Sequence, residues 1–338
     1  MAEYRQWREE KREWLKDVLP LDTPYNIKVE VSSLCNARCV YCAHSQIGES
    51  GVWQGNMSME LLEKIISDIK MFPRKPKLME MYMFGEPLCN PNLAKMIKRV
   101  RKENVVDRIN FTTNGLLFTK DNIDEIIDAG VDVIRVSLQG LDAEAYKKNC
   151  RINIDFDAFI NHLTYLYNHK KNCSIRMKIA DLAIKDYPDG MEKFESMFGC
   201  IADSIFVETI LPLYQQVDYS KVDSEIGNNI LNGREGIATN HIHRVCHRPF
   251  YRMRVAANGL VTSACCDTPN DIVYGDINKE SLVNIWNGKK HMNFLRMQLQ
   301  GKRFEHSSCK NCVAANDITS KADFLDPWAE QILDRMKS

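Results

Sequence analysis

Three cysteines fall within eight residues of the segment SLCNARCVYCAH, at Cys35, Cys39 and Cys42. This C-x3-C-x2-C run directly follows a stretch that reads as a strand. Thiolates suit iron–sulfur clusters, and three of them wrap one corner of a cubane while leaving its fourth iron without a protein ligand. An open iron is useful only where something else must coordinate it. Structural zinc asks for four closed ligands, commonly as two C-x2-4-C pairs. A zinc knuckle, a purely structural cluster and chance spacing therefore stand as alternative readings of the triad taken alone.

A second group lies toward the other end: Cys246, the adjacent Cys265 and Cys266, and Cys309 and Cys312 of CKNC. Four thiolates satisfy a cluster fully, so this would be a closed electron relay or a structural staple. A zinc ribbon, recruiting His241, His243 or His247, is the alternative. Cys89, Cys150, Cys173 and Cys200 are scattered singly and read as small buried hydrophobes.

The 338-residue chain is long enough for a large domain and an appended smaller one, and its 45 basic and 45 acidic residues balance. That balance gives no reason to expect nucleic acid or an anionic membrane as partner. No stretch approaches the ~18 apolar residues of a membrane span. The opening MAEYRQWREEKREWLKD is charged, reads as a polar helix, and lacks the apolar region of a secretory signal. The expectation is a cytoplasmic protein, where grouped thiols more often bind metal than form disulfides.

The elements that must position these thiols alternate. Candidate strands cover residues 26–31, 78–84, 108–112, 133–138, 174–182 and 204–208. Between them fall amphipathic helical patterns at 59–70, 91–102, 122–129 (closed by Gly130) and 156–167. About six strand–helix units argue for an α/β fold with a parallel sheet, too few for the eight of a closed TIM barrel. A partial (βα)6 barrel fits. Residues 212–240 are polar and read as a linker. Ala257-Asn258-Gly259 then marks a hairpin between 251–256 and 260–264, with helical segments at 281–286 and 291–300 beyond it.

The triad with Tyr41 before its third cysteine, at the end of the first strand of a partial barrel, resembles the signature of the radical S-adenosylmethionine (SAM) superfamily. That resemblance implies a [4Fe–4S] cluster on Cys35, Cys39 and Cys42 whose open iron is chelated by SAM. Reductive cleavage of SAM then gives a 5′-deoxyadenosyl radical that removes a hydrogen atom from the substrate. After the second strand, Gly85-Glu86-Pro87 resembles the family turn that holds the SAM amino group, with Phe84 replacing its first glycine. Asn114 in TTNG and Ser137 in RVSLQG resemble positions facing SAM at strand ends. Arg151 matches an arginine near the SAM carboxylate, and Tyr41 an aromatic bordering the adenine. The C-terminal order of cysteines resembles the SPASM/twitch module in its short form, implying one auxiliary [4Fe–4S] cluster on Cys246, Cys265, Cys309 and Cys312. Neighbouring strand residues face opposite sides, so only one of Cys265 and Cys266 points inward; Cys265 is taken because the family's usual Gly-to-Cys spacing is shorter than either offers.

The domains expected are a 1–24 extension, a 25–211 radical SAM barrel, a 212–240 linker and a 241–338 auxiliary module. Short-form relatives point to dehydrogenation or epimerisation of a polar small molecule such as a sugar or aminocyclitol. An epimerase would need a thiol hydrogen donor, for which Cys150, Cys89 or the unused member of the 265/266 pair are candidates. The alternative is maturation of a ribosomally made peptide, although only about 25 residues precede the first strand, too few for a leader-binding domain. A non-catalytic zinc scaffold is a third reading. A reductant such as flavodoxin or ferredoxin is implied as partner.

Overall fold

The computed structural model describes residues 2–4, 12–47, 53–231, 242–264, 271–318 and 320–337. Its strands are β1 (Glu3–Tyr4), β2 (Asn26–Val29), β3 (Leu78–Glu80), β4 (Arg108–Thr113), β5 (Val133–Leu138), β6 (Ser174–Ala180), β7 (Ser204–Glu208), β8 (Arg252–Val255), β9 (Leu260–Thr262) and β10 (Val273–Asp276). The helices are α1 (Leu15–Val18), α2 (His44–Ile47), α3 (Met59–Ile69), α4 (Leu93–Glu103), α5 (Lys120–Asp128), α6 (Ala143–Cys150), α7 (Phe156–His169), α8 (Gly190–Phe198), α9 (Leu282–Trp286), α10 (Lys289–Leu299) and α11 (Ala329–Arg335).

All strands join one sheet in the order β1-β7-β6-β5-β4-β3-β2-β8-β9-β10. The six expected strands, β2 to β7, are parallel and in sequence order, as a partial barrel requires. The sheet does not stop there. β8 adds beside β2 in parallel, pairing Asn26 with Arg252, and the expected hairpin continues through β9 to β10. At the far edge β1 pairs with β7, a strand that the charged N-terminal sequence did not announce. Residues 5–11 of the expected N-terminal helix lie outside the described residues, and the described helix there is only α1.

Helix starts follow local chemistry. Ser58, Asp142 and Asp155 cap α3, α6 and α7 by accepting backbone N–H groups, and Thr119 forms a capping box with Asn122 at α5. The second expected strand ends early, at Glu80. Beyond it the chain turns, so that Phe84 N–H reaches Glu30 at 3.1 Å and Glu86 N–H reaches the Leu34 carbonyl at 2.7 Å.

Strand alternation sorts the side chains into two environments. Ile27, Val29, Met79, Ile109, Phe111, Ile134, Val136, Ile175, Met177 and Ile205 are buried in the main apolar core. The alternate residues Lys28, Glu80, Asn110, Arg135, Ser137, Arg176, Lys178, Glu208, Arg252 and Arg254 share the other face. A closed TIM barrel fills its interior with branched apolar side chains. This interior is polar, so it serves as a chamber rather than a core.

The C-terminal elements are anchored to the barrel by specific bonds. Asp68 of α3, 4% exposed, accepts Leu282 N–H at the start of α9 at 2.9 Å. Trp286 donates its indole N–H to the Leu21 carbonyl, also at 2.9 Å. Asp68→Ala leaves Leu282 N–H without its acceptor in a buried seam. The expected cost is about 1–3 kcal/mol of unfolding free energy, read as a lowered urea midpoint at unchanged slope.

Candidate active site

The triad loop is held by carbonyls at the end of α6. Arg38 N–H donates to the Cys150 carbonyl at 3.0 Å and Val40 N–H to the Asn149 carbonyl at 2.9 Å. Asn149 in turn donates its side-chain amide to the Gln139 carbonyl at 2.7 Å, tying α6 to the end of β5. Arg38 folds back onto the Cys35 and Ala37 carbonyls at 2.9 and 3.0 Å. His44, 4% exposed, braces the loop through a ring nitrogen 2.9 Å from the Ser33 carbonyl, and burial holds its pKa down. Its backbone N–H lies 3.4 Å from Cys42 Sγ. Neither His44 nor the α6 terminus carries a sequence signal for this role, because their contacts join distant segments.

Cys35, Cys39 and Cys42 line one cavity of about 410 Å3. Burial pushes the Cys35 and Cys42 thiols up to about 12. A contact with Cys150, whose Sγ is 3.4 Å away, and burial together raise Cys39. Such thiols need a cation to ionise, and bound iron supplies one. Among the described residues no three His, Cys, Asp or Glu side chains converge on a single ion. The triad sulfurs are instead spread along a loop, as ligands to different irons of one cluster must be. The Tyr41 hydroxyl, buried beside them, has no hydrogen-bond partner among the described residues. That orphaned group fits a site completed by a polar cofactor.

Tyr41, Gly85, Glu86, Asn114 and Ser137 all line this cavity with the triad. Arg151 does not. It is exposed and caps α6 in the left-handed region, φ 55°. Gly85 has a reason that sequence reading could not supply. A Cβ there would meet the Ser32 carbonyl oxygen at 2.2 Å and that of Leu34 at 2.7 Å, so the residue is fixed by the chain's own backbone. Glu86 likewise does more than face a ligand. Its carboxylate accepts from Thr113 Oγ1 at 2.6 Å, Asn114 N–H at 2.8 Å and Leu88 N–H at 3.1 Å. Burial nevertheless raises its pKa to about 7. Asn114 bridges to Asn36 Oδ1 at 2.8 Å, and the Ser137 hydroxyl accepts from Gln139 at 3.0 Å. Phe84, in the position of the family's first glycine, packs under the Arg254 guanidinium, 4.7 Å from its ring centroid.

Leu211, at the end of the expected barrel, and Leu213, Tyr214 and Tyr219 from the expected linker also line the chamber, and Tyr219 packs with Ala43 next to the triad. Cys150 is fully buried and Cys89 half-buried, and neither is among the lining residues.

Cys246, Cys309 and Cys312 line a separate small cavity of about 30 Å3 with Gln298 and Arg303. Gln298 accepts Cys246 N–H at 3.1 Å, and its amide approaches Cys309 Sγ at 3.8 Å. Arg303, 2% exposed, donates to the carbonyls of His243, Cys309 and Cys312 at 2.9, 3.3 and 3.2 Å. Cys265 and Cys266 lie outside the described residues. His243 and His247 are buried, His241 lies outside the described residues, and His247 lines the large chamber.

Comparison with known proteins agrees with this geometry. Residues 29–179 match the radical SAM superfamily and residues 246–313 the SPASM iron–sulfur cluster-binding domain. The chain is 21% identical to a tungsten-containing aldehyde ferredoxin oxidoreductase cofactor-modifying protein of Pyrococcus furiosus, over 90% of this chain and 91% of the relative. Its fold is similar to that of BtrN in complex with AdoMet and 2-DOIA, with TM-score 0.52, 18% identity, and 85% and 92% of the two chains covered. It is also similar to anSMEcpe with bound AdoMet and Cp18Cys peptide, with TM-score 0.57, 16% identity and coverages of 92% and 98%. No described helix is long and apolar enough to cross a membrane. With its triad at the carboxyl end of a partial barrel and a second cysteine site beyond it, the chain carries a radical SAM domain and a C-terminal SPASM domain, which bind SAM and [4Fe–4S] clusters.

Proposed function

We propose that the chain is a radical SAM oxidoreductase that dehydrogenates a polar small molecule bound inside the barrel. The observation that carries this reading is the polar interior of the chamber joined directly to the triad. Lys28, Tyr82, Thr112, Ser137, Lys178 and Glu208 line it in common with the three cysteines. Side chains of this kind offer donors, acceptors and charges to a hydroxylated or charged molecule, and the cavity is of the size that small ligands occupy. Full-length similarity to a cofactor-modifying protein supports a small-molecule target over a peptide.

Cys35, Cys39 and Cys42 are the proposed ligands of the SAM-binding cluster. Cys246, Cys265, Cys309 and Cys312 are those of the auxiliary cluster. When bound and reduced, the first cluster would supply the one electron that cleaves SAM, the source of the radical that takes a hydrogen atom from the substrate. Tyr41, Gly85, Asn114 and Ser137 form the proposed SAM cradle. Glu86 ties the turn after β3 to the end of β4 through its hydrogen bonds from Thr113 and Asn114. Lys178 and Glu208, paired across β6 and β7, face the substrate.

Placement of two of the three candidate thiol donors favours oxidation: Cys150 and Cys89 stand outside the chamber lining, while the unused member of the 265/266 pair lies outside the described residues. Reaction in D2O tests this. The product is expected to lack two hydrogens and to carry no solvent-derived deuterium at carbon; a deuterated, redox-neutral product would establish epimerisation instead.

Replacing Cys35, Cys39 and Cys42 together by Ala is expected to abolish SAM cleavage while about half the protein's iron and sulfide remains. Retained 5′-deoxyadenosine formation by that variant would refute the assignment of the triad.

A further inference from the structure

The chamber has a second end that SAM chemistry does not use. Arg252 pairs in register with Asn26, the first residue of β2, so it sits at the amino end of the barrel, opposite the triad. Around it on the same cavity wall are Arg12, His247, Arg248, Tyr251, Asp317 and Asp323. Two of the three guanidiniums have carboxylates: Arg12 pairs with Asp323, and Arg248 pairs with Asp317 at 2.5 Å.

Arg252 has none. Among the described residues no carboxylate lies within ion-pair distance of it. Its guanidinium is held instead by Tyr251, stacked 4.6 Å from the ring centroid and donating to the phenol oxygen. Its Nε is buried without a hydrogen-bond partner. Tyr251 also packs against His247, with centroids 5.9 Å apart and planes at 14°. His247 is 3% exposed, and its Nδ1 likewise has no partner among the described residues.

Glu80 and Asp323 act on this guanidinium only from beyond ion-pair distance, so its fork keeps donor capacity for an anion in the cavity. Tyr251 fixes the planar fork before any ligand arrives, which lowers the ordering cost of binding. We infer that the amino end of the chamber is an oxyanion subsite, in which Arg252, assisted by His247, binds a phosphate or carboxylate group of the substrate. The substrate is then an anionic small molecule, spanning the barrel with its anion at Arg252 and its reacting carbon toward the triad. The inference rests on reading the chamber as the substrate site.

The test is calorimetric titration of the anaerobic, cluster-loaded protein with inorganic phosphate and, separately, with succinate. No reductant is added, so the result is independent of whether SAM is cleaved. At least one anion is expected to bind, and Arg252→Gln to weaken that binding by at least ~10-fold with SAM affinity unchanged. Binding of phosphate alone assigns a phosphate group, and of succinate alone a carboxylate. Should the Gln variant fail to load its clusters, Arg252→Lys carries the comparison. It keeps the charge but loses the fork, and is expected to bind the anion roughly 3- to 10-fold more weakly. Failure of the wild-type protein to bind either anion, or undiminished binding in the variant that loads, overturns the subsite.

Discussion

Charge turned into the interior of a barrel must be paired, and that requirement organises this molecule. Lys28 of β2 reaches Glu80 of β3 at 2.7 Å, and Arg135 of β5 reaches the same carboxylate at 3.2 Å. Burial alone would raise the Glu80 pKa, but the two cations more than offset it and hold the carboxyl ionised. Arg254 of β8 pairs with Glu30, just beyond β2, at 2.8 Å, both nearly inaccessible. These pairs cross between strands that apolar packing joins only on the outer face. Breaking one partner strands the other in a low-dielectric wall, so their geometry is tightly specified.

The same pairs reach the chemistry. Glu30, fixed by Arg254, also accepts Phe84 N–H at 3.1 Å, which sets the turn leading to Gly85 and Glu86. Gly85 then lies against the Ser32 and Leu34 carbonyls, and Glu86 ties that turn to Asn114 at the end of β4. The triad loop is caught between this turn and the carboxyl end of α6. A charge placed on β8, over 200 residues downstream in sequence, thus helps position the loop that carries the first cysteines. The C-terminal segment shares one sheet with the barrel, and Arg252 of β8 adds to the chamber wall.

Much of the fold was legible. Apolar β-rich runs marked the six parallel strands, and helical spacing, with Gly130 closing one of them, marked α3, α4, α5 and α7 but not α6 or α8. Asn258-Gly259 marked the hairpin. What local pattern missed was set by partners distant in sequence: the edge strand Glu3–Tyr4 pairs with β7, and the second strand ends early because Glu30 and Leu34 capture the turn after it. The polar stretch after Leu211 reads as a linker because its apolar residues are few. Tyr214 and Tyr219 nevertheless pack over the chamber, which periodicity has no means to register.

The sequence by itself carried the triad's ligand type and spacing, since these are local properties of one loop, and with them the resemblance that points to a SAM-binding cluster. It also determined that a second cysteine site lies near the far end of the chain. Tertiary structure decided which polar residues share a cavity, because strands far apart in the chain bring Tyr41, Asn114, Ser137 and Arg252 to one chamber. It placed Arg151 outside that chamber, on an exposed left-handed cap, and Cys150 beside Cys39 rather than before a substrate. It also gave Gly85 its reason, a steric one that exists only once two backbone segments meet.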